Sequence, residues 1–200
     1  MNSLEKARSE YLQHYRDVIA RNREGHEKFA PEILLELSDR VGLHRKLYRV
    51  DMICADDGTN AVIEANLDQP TQIAETTETK GQALVTIRPF AWNGVVIVAR
   101  DGILADVDPW FLRWADIEDE NENDDDGLGG VIHSLYVTER GDEEIEYSID
   151  FGSAPIDAFE DLLDLLVASG ATTIGVSSPH FEIEPGEQDG SGQPPPPELK

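Results

Sequence analysis

EEIEYSIDFGSAPIDAFEDLLDLLVASG (Glu143–Gly170) changes its hydrophobic period halfway along, and that change decides the fold class. Up to Phe151 the apolar residues Ile145, Tyr147, Ile149 and Phe151 alternate with Glu144, Glu146, Ser148 and Asp150. A period of two places one side-chain set on each face of a strand, so this strand has one buried and one wet face. From Pro155 the period becomes helical, with Phe159, Leu162, Leu163, Leu166 and Val167 on one stripe and Gly170 as the stop. Thr172–Val176 then reads as a strand, completing a β-α-β unit.

Upstream, Val131–Thr138 is the other arm of a hairpin that turns at residues 139–142. Arg140-Gly141-Asp142 at its tip reads as ordinary turn chemistry rather than an adhesion motif. Two more hairpins are expected. One joins Tyr48–Cys54 to Ala61–Leu67, and the other turns at Asn93-Gly94 between Ala83–Ala91 and Val95–Arg100. Val95–Ala99 lacks alternation, which predicts a central strand, and Ile103–Ala105 reads as a short strand. Residues 68–82 are polar and predict a long loop.

The first 45 residues predict two helices packed on the domain. Asn2 caps the first, with Leu4, Tyr11, Tyr15, Val18 and Ile19 on one stripe. Pro31 opens the second, with Ile33, Leu34, Leu37 and Val41 on one side and Gly42 as its stop. The whole is an α+β fold: mainly an antiparallel sheet of hairpins, two N-terminal helices and a C-terminal β-α-β unit. The domain proper spans 46–183, and the Gly- and Pro-rich 184–200 predicts a disordered tail.

Charge is the second organising feature. The chain holds 41 acidic and 16 basic residues, a net charge of −25, and all the excess acidity lies beyond residue 50. Residues 101–150 alone carry −15. Such a surface repels phosphate backbones and anionic lipid and attracts basic protein. No stretch is long and apolar enough for a bilayer, the N-terminal residues lack a signal-peptide pattern, and Cys54 is the one cysteine, so a cytoplasmic protein is expected.

The densest charge is Asp116–Asp126, in which eight of eleven residues are carboxylates. It predicts an exposed loop within 116–130. An EF-hand register anchored on Gly127 puts Glu122, Asp124 and Asp126 on ligand positions, but places His133 where the bidentate glutamate belongs. None of His14, His26, His44, His133 and His180 has metal-type spacing with another. Cys54 reads as a buried, inert thiol. Asp51, Glu64 and Asp68, at strand ends, are candidate catalytic carboxylates of the kind chance alone supplies in so acidic a chain. No catalytic set, cofactor or metal is assigned.

The leading expectation is therefore a binding protein for a basic partner, in the manner of an immunity protein, antitoxin, DNA mimic, adaptor or chaperone. Its surface comprises Asp116, Glu118, Asp119, Glu120, Glu122, Asp124, Asp125 and Asp126, with Glu143, Glu144 and Glu146 on the wet strand face, and Trp110 or Trp114 as aromatic anchors if exposed. The alternative is a small-ligand-binding domain or enzyme with a carboxylate pocket near loop 68–82, marked by a carboxyl of strongly raised pKa. The basic N-terminal helix, finally, suits docking on the acidic remainder of the chain or on a second copy as a homodimer.

Overall fold

A computed structural model of the chain describes residues 3–56, 59–67, 69–118, 120–141 and 144–179. Asn2, Asp68, Asp119, Asp142, Glu143, His180 and the 184–200 tail lie outside them, and so do the expectations placed on those residues. The fold is α+β, with three helices and two sheets of mostly antiparallel strands.

Helix α1 (Ser3–Gly25) buries Leu4, Ala7, Tyr11, Leu12, Tyr15, Val18 and Ile19. That stripe faces the chain's own core, and the opposite faces keep the charges. Arg8 fastens the helix to the turn after residue 151, donating to the carbonyls of Ala154 (2.7 Å) and Ser153 (3.0 Å).

The first sheet has the order β1-β2-β3, with β1 (Lys28–Glu36), β2 (Leu47–Asp56) and β3 (Thr59–Ile63). The expected helix from Pro31 to Gly42 is not there: β1 occupies its first half and pairs antiparallel with β2 from Lys28↔Ala55 to Glu36↔Leu47. Ile33, Leu34 and Leu37 suited a helix locally, but pairing with β2 overrides that propensity. Pro31 is tolerated because β1 is an edge strand. Its neighbour Glu32 adopts φ +50°, the left-handed region a non-glycine residue enters only under constraint. The expected β2–β3 hairpin is present.

The second sheet runs β4-β5-β9-β6-β8-β7. Its strands are β4 (Thr76–Lys80), β5 (Ala83–Ile87), β6 (Val95–Arg100), β7 (Ser134–Arg140), β8 (Glu144–Asp150) and β9 (Thr173–Ser177). Two expectations are corrected here. The 68–82 loop contains β4, which forms a hairpin with β5 although four of its five residues are exposed and polar. Asn93-Gly94 does turn the chain, with Gly94 N–H bonded to the Ala91 carbonyl at 3.0 Å, but it does not make a β5–β6 hairpin. Instead β9 inserts between those strands, parallel to β5 and antiparallel to β6. A two-residue turn fixes a reversal of direction, and a later strand can still take the place beside it. Residues 103–105 form no strand. The β7–β8 hairpin is as expected, from Ser134↔Asp150 to Arg140↔Glu144.

Helices α2 (Asp108–Ala115) and α3 (Ile156–Ala168) complete the chain, α3 joining β8 to β9 with β6 lying between those strands. A single buried cluster takes in α1, Met52 and Cys54 of the first sheet, the second sheet, α2 and α3. Its aromatic centre is Trp92, Phe151 and Phe159, with Trp92–Phe151 centroids 4.9 Å apart. Stacked and tilted rings at such distances add about 0.5–1.5 kcal/mol per pair beyond the burial itself.

Candidate functional site

Where the two sheets meet, three carboxyl groups converge on one imidazole. His133 immediately precedes β7, and its backbone ties both sheets: its carbonyl accepts Arg49 N–H of β2 (2.8 Å) and its N–H reaches the Asp150 carbonyl of β8 (2.9 Å). On the other side of the seam, Glu32 of β1 lies opposite Asp51 of β2, since Pro31 pairs with Met52 and Ile33 with Val50. These two cross-strand neighbours flank the ring. Glu32 Oε1 is 2.9 Å from Nε2, Asp51 Oδ1 is 2.9 Å from Nδ1, and Asp150 Oδ2 stands 3.9 Å from Nδ1. The His133 side chain is 0% exposed, Asp51 2% and Asp150 17%, so only Asp150 reaches toward solvent.

The surroundings hold each member in place. Asp51 accepts the Tyr11 hydroxyl (3.2 Å) and the Ala65 N–H (2.5 Å), while Tyr15 donates to its carbonyl (2.5 Å). Glu32 Oε2 accepts the Gly129 N–H (2.6 Å), and its carbonyl accepts the Arg49 guanidinium (2.5 Å). This double grip explains how Glu32 keeps its left-handed backbone. Asp150 Oδ1 takes the Gly152 N–H (2.8 Å), which leaves Oδ2 directed at the imidazole. Gly152 has φ +48°, and a Cβ there would sit 2.2 Å from the His133 ring, so glycine is required on both counts.

Burial pushes the Asp150 carboxyl up to about 7, against the pull of His133. Burial by itself would lower His133, but Asp150, Asp51 and Glu32 outweigh it and hold the imidazole well above its usual value. Asp51 is lowered despite its burial, chiefly by the neighbouring imidazole. Glu64, which accepts the Tyr48 hydroxyl (2.9 Å), is raised by partial burial and by the Asp51 charge. A polar chain Tyr48–Glu64–Asp51–His133–Glu32 thus crosses the molecule.

Two clefts flank it. The larger, about 560 Å³, lies between β1 and residues 116–131, and its polar groups Glu32 and Arg49 are committed inward, to His133 and Gly129 and to the carbonyls of Glu32, Ala115 and Asp116. The smaller, about 260 Å³, ends on Asp150 and is ringed by Arg40, Tyr48, Asn66, Asn93, Tyr136 and Ser148. We take the smaller cleft as the candidate site, because Asp150, the part-exposed member of the His133 cluster, lines it.

The residues expected to form an acidic partner surface are distributed differently. Trp110 is buried, 6% exposed, with its indole N–H on the Ala158 carbonyl (2.8 Å), and Trp114 is half-buried with its N–H toward Asp161. Neither stands out as an exposed anchor. Asp116 caps α2 in the left-handed conformation and accepts the N–H groups of Glu120 and Asn121. Asp124 accepts the N–H groups of Asp126 and Leu128 and pairs with Arg16, while Asp126 pairs with Arg16 and Arg23. The segment is exposed, as expected, yet stapled to α1 by its own acids. Glu144 and Glu146 pair with Arg100 and Arg140. Glu118, Glu120, Glu122 and Asp125 remain exposed, and Asp119 lies outside the described residues.

Sequence reasoning reached Asp51 and Glu64 and passed over Glu32, His133 and Asp150. Glu32 was assigned to a helix, and Asp150 to the wet face of its strand. His133 was weighed only against the acidic run beside it. The one available signal was chemical: an ionisable residue directly before or inside an apolar strand needs a buried partner. Comparison of the chain with protein-family models, with curated proteins and with solved structures finds no match in any of the three.

Proposed function

We propose that this protein is a small-ligand-binding domain whose ligand occupies the cleft ending on Asp150. The observation that carries the reading is the arrangement of charge in that cleft: the part-exposed Asp150 carboxyl, whose Oδ2 stands 3.9 Å from the His133 ring, and the Arg40 guanidinium both line it. Arg40 lies over the Tyr48 ring, 5.4 Å from its centroid, and donates to the Tyr136 hydroxyl (3.3 Å). Opposite charges separated by amide and hydroxyl groups suit a small zwitterion of the free amino-acid class. A volume near 260 Å³ matches a ligand of that size. Calorimetric titration with a panel of free amino acids tests this. We expect saturable binding that Asp150→Asn weakens at least tenfold and Ser148→Phe, which fills the cleft, abolishes. Silence toward every zwitterion, simple amine and simple carboxylate would overturn it.

A second reading keeps the basic protein partner. It draws on Glu118, Glu120, Glu122 and Asp125, four outward acids on a segment that α1 holds in place. A preformed acidic face of this kind speeds encounter with a basic surface and loses its effect in salt. Replacing these four together by their amides should abolish any salt-sensitive complex, and retention of the complex by that variant would remove the reading.

A further inference from the structure

We propose that Asp51, His133 and Asp150 form a binding centre for one divalent transition-metal ion, zinc or manganese by its donor set. One ligand atom from each residue lies within 4.8 Å of the others. An ion held about 2.0–2.4 Å from each donor requires separations of about 3–4.5 Å. Of the two contacts to Nδ1, that at 2.9 Å lies at the lower edge of that range and that at 3.9 Å within it.

The independent observation is the state of the imidazole. Nδ1 of His133 is fully buried and makes no aligned hydrogen bond, although Asp51 Oδ1 lies 2.9 Å away. Meanwhile Nε2 is engaged by Glu32 at 2.9 Å, and Glu32 is itself fixed by Gly129 N–H. A carboxylate on one ring nitrogen places the proton there and leaves the other nitrogen's lone pair for a metal. Beside that nitrogen stand two carboxylates, at 2.9 and 3.9 Å, that are oriented by Tyr11, Ala65 N–H and Gly152 N–H. Ligands and their supporting hydrogen bonds are both in place.

Charge balance agrees. Glu32 and Asp51, both buried, and the part-exposed Asp150 bring three carboxyl groups together, with Arg49 a buried cation nearby. With all three carboxyls ionised on binding, a divalent ion and neutral His133 bring the sum to zero. Binding releases the proton that otherwise rests on Nδ1 to solvent, and any remaining coordination positions face the cleft beyond Asp150. One imidazole with two carboxylates suits zinc or manganese better than calcium, which takes oxygen donors. The proposal takes from the cleft reading only the ion's access route.

The test is calorimetric titration of the chelator-treated full chain with zinc and with manganese, under excess magnesium to saturate the exposed acids. We expect one tight site per chain. Asp150→Asn should weaken it at least tenfold, and Glu32→Gln by about 10–100-fold through loss of the ring's orientation. Glu160→Gln, on the exposed face of α3, should leave it unchanged. Absence of a stoichiometric site, or a site indifferent to Asp150→Asn and Glu32→Gln, would overturn the proposal. If both variants fail to fold, nitrogen NMR of the wild-type histidines decides: zinc must move Nδ1 of one buried ring, and no movement refutes the site. Amino-acid binding without metal binding would sink this inference and leave the cleft reading standing; the converse result would do the opposite.

Discussion

Replacing His133 by glutamine should be among the most damaging single changes in this chain. The ring is fully buried between Glu32 and Asp51, both themselves buried, so its loss strands two carboxylates in a medium that solvates them poorly. Breaking a buried ion pair by removing one partner costs about 3–5 kcal/mol. For a domain of this size that lowers the melting temperature by about 6–20 °C. Glutamine can donate to one neighbour, which places the expectation at the lower end. The informative experiment is a double-mutant cycle with Glu32→Gln, followed by urea titration of Trp92, whose indole packs on Phe151 close to the centre. Neutralising Glu32 removes one stranded charge in advance. The double variant should therefore be less destabilised than the sum of the singles by about 1–3 kcal/mol. An unchanged denaturant slope would show that the folded state persists. If His133→Gln cost less than about 1 kcal/mol, or the two changes were additive, the network would not be a coupled buried ionic unit and the reasoning would fail.

Three further outcomes follow from particular contacts. Gly152→Ala must place a methyl group against the His133 ring and hold an L-residue at φ +48°; strain and overpacking together predict a loss of about 2–5 kcal/mol in chemical denaturation. Arg16→Gln releases the exposed pairs to Asp124 and Asp126, so it should cost no more than about 1 kcal/mol at low salt and nothing at 1 M, where the Debye length is about 3 Å. The Arg45 hydrogen bonds, aided by His44, hold the Asp108 carboxyl at about 2, below the ordinary value near 3.9. A lowered carboxylate stabilises the fold above its unfolded pKa and loses that effect as pH falls. Any stability gap between wild type and Asp108→Asn should therefore be full above about pH 4 and close toward pH 2; carbon NMR titration of Asp108 with a midpoint near 4 would contradict it.

How much of this was legible beforehand depended on the kind of signal. Where one periodic face had to be buried, as in β8 and α3, spacing was enough, because shifting a strand by one residue or a helix by two would expose the whole apolar set. The stripe of α1 was readable for the same reason. The helix expected from Pro31 to Gly42 fails although Ile33, Leu34 and Leu37 satisfy a helix locally, because the hydrogen bonds offered by β2 outweigh that preference. The polar β4 carries no apolar pattern at all, and its pairing with β5 supplies what its side chains do not announce. Trp110 shows the opposite limit: its spacing admits an anchor but favours core, since large aromatics usually bury most of their area, and its N–H on the Ala158 carbonyl bears out the core reading.

By itself, then, the sequence determined the α+β character of the chain, its hairpins at β2–β3 and β7–β8, the helix α3 and the concentration of negative charge on one exposed segment. These are local properties, expressed within a few turns or one strand pair. Only the tertiary structure decided that β9 separates β5 from β6, that the acidic segment spends Asp124 and Asp126 on the arginines of α1, and that Glu32, Asp51, His133 and Asp150 meet. The reason is separation along the chain. Residues 32 and 133 acquire a relation only when the seam between two sheets closes, and the apolar cluster around that seam, rather than attraction between the charges, supplies the free energy to close it.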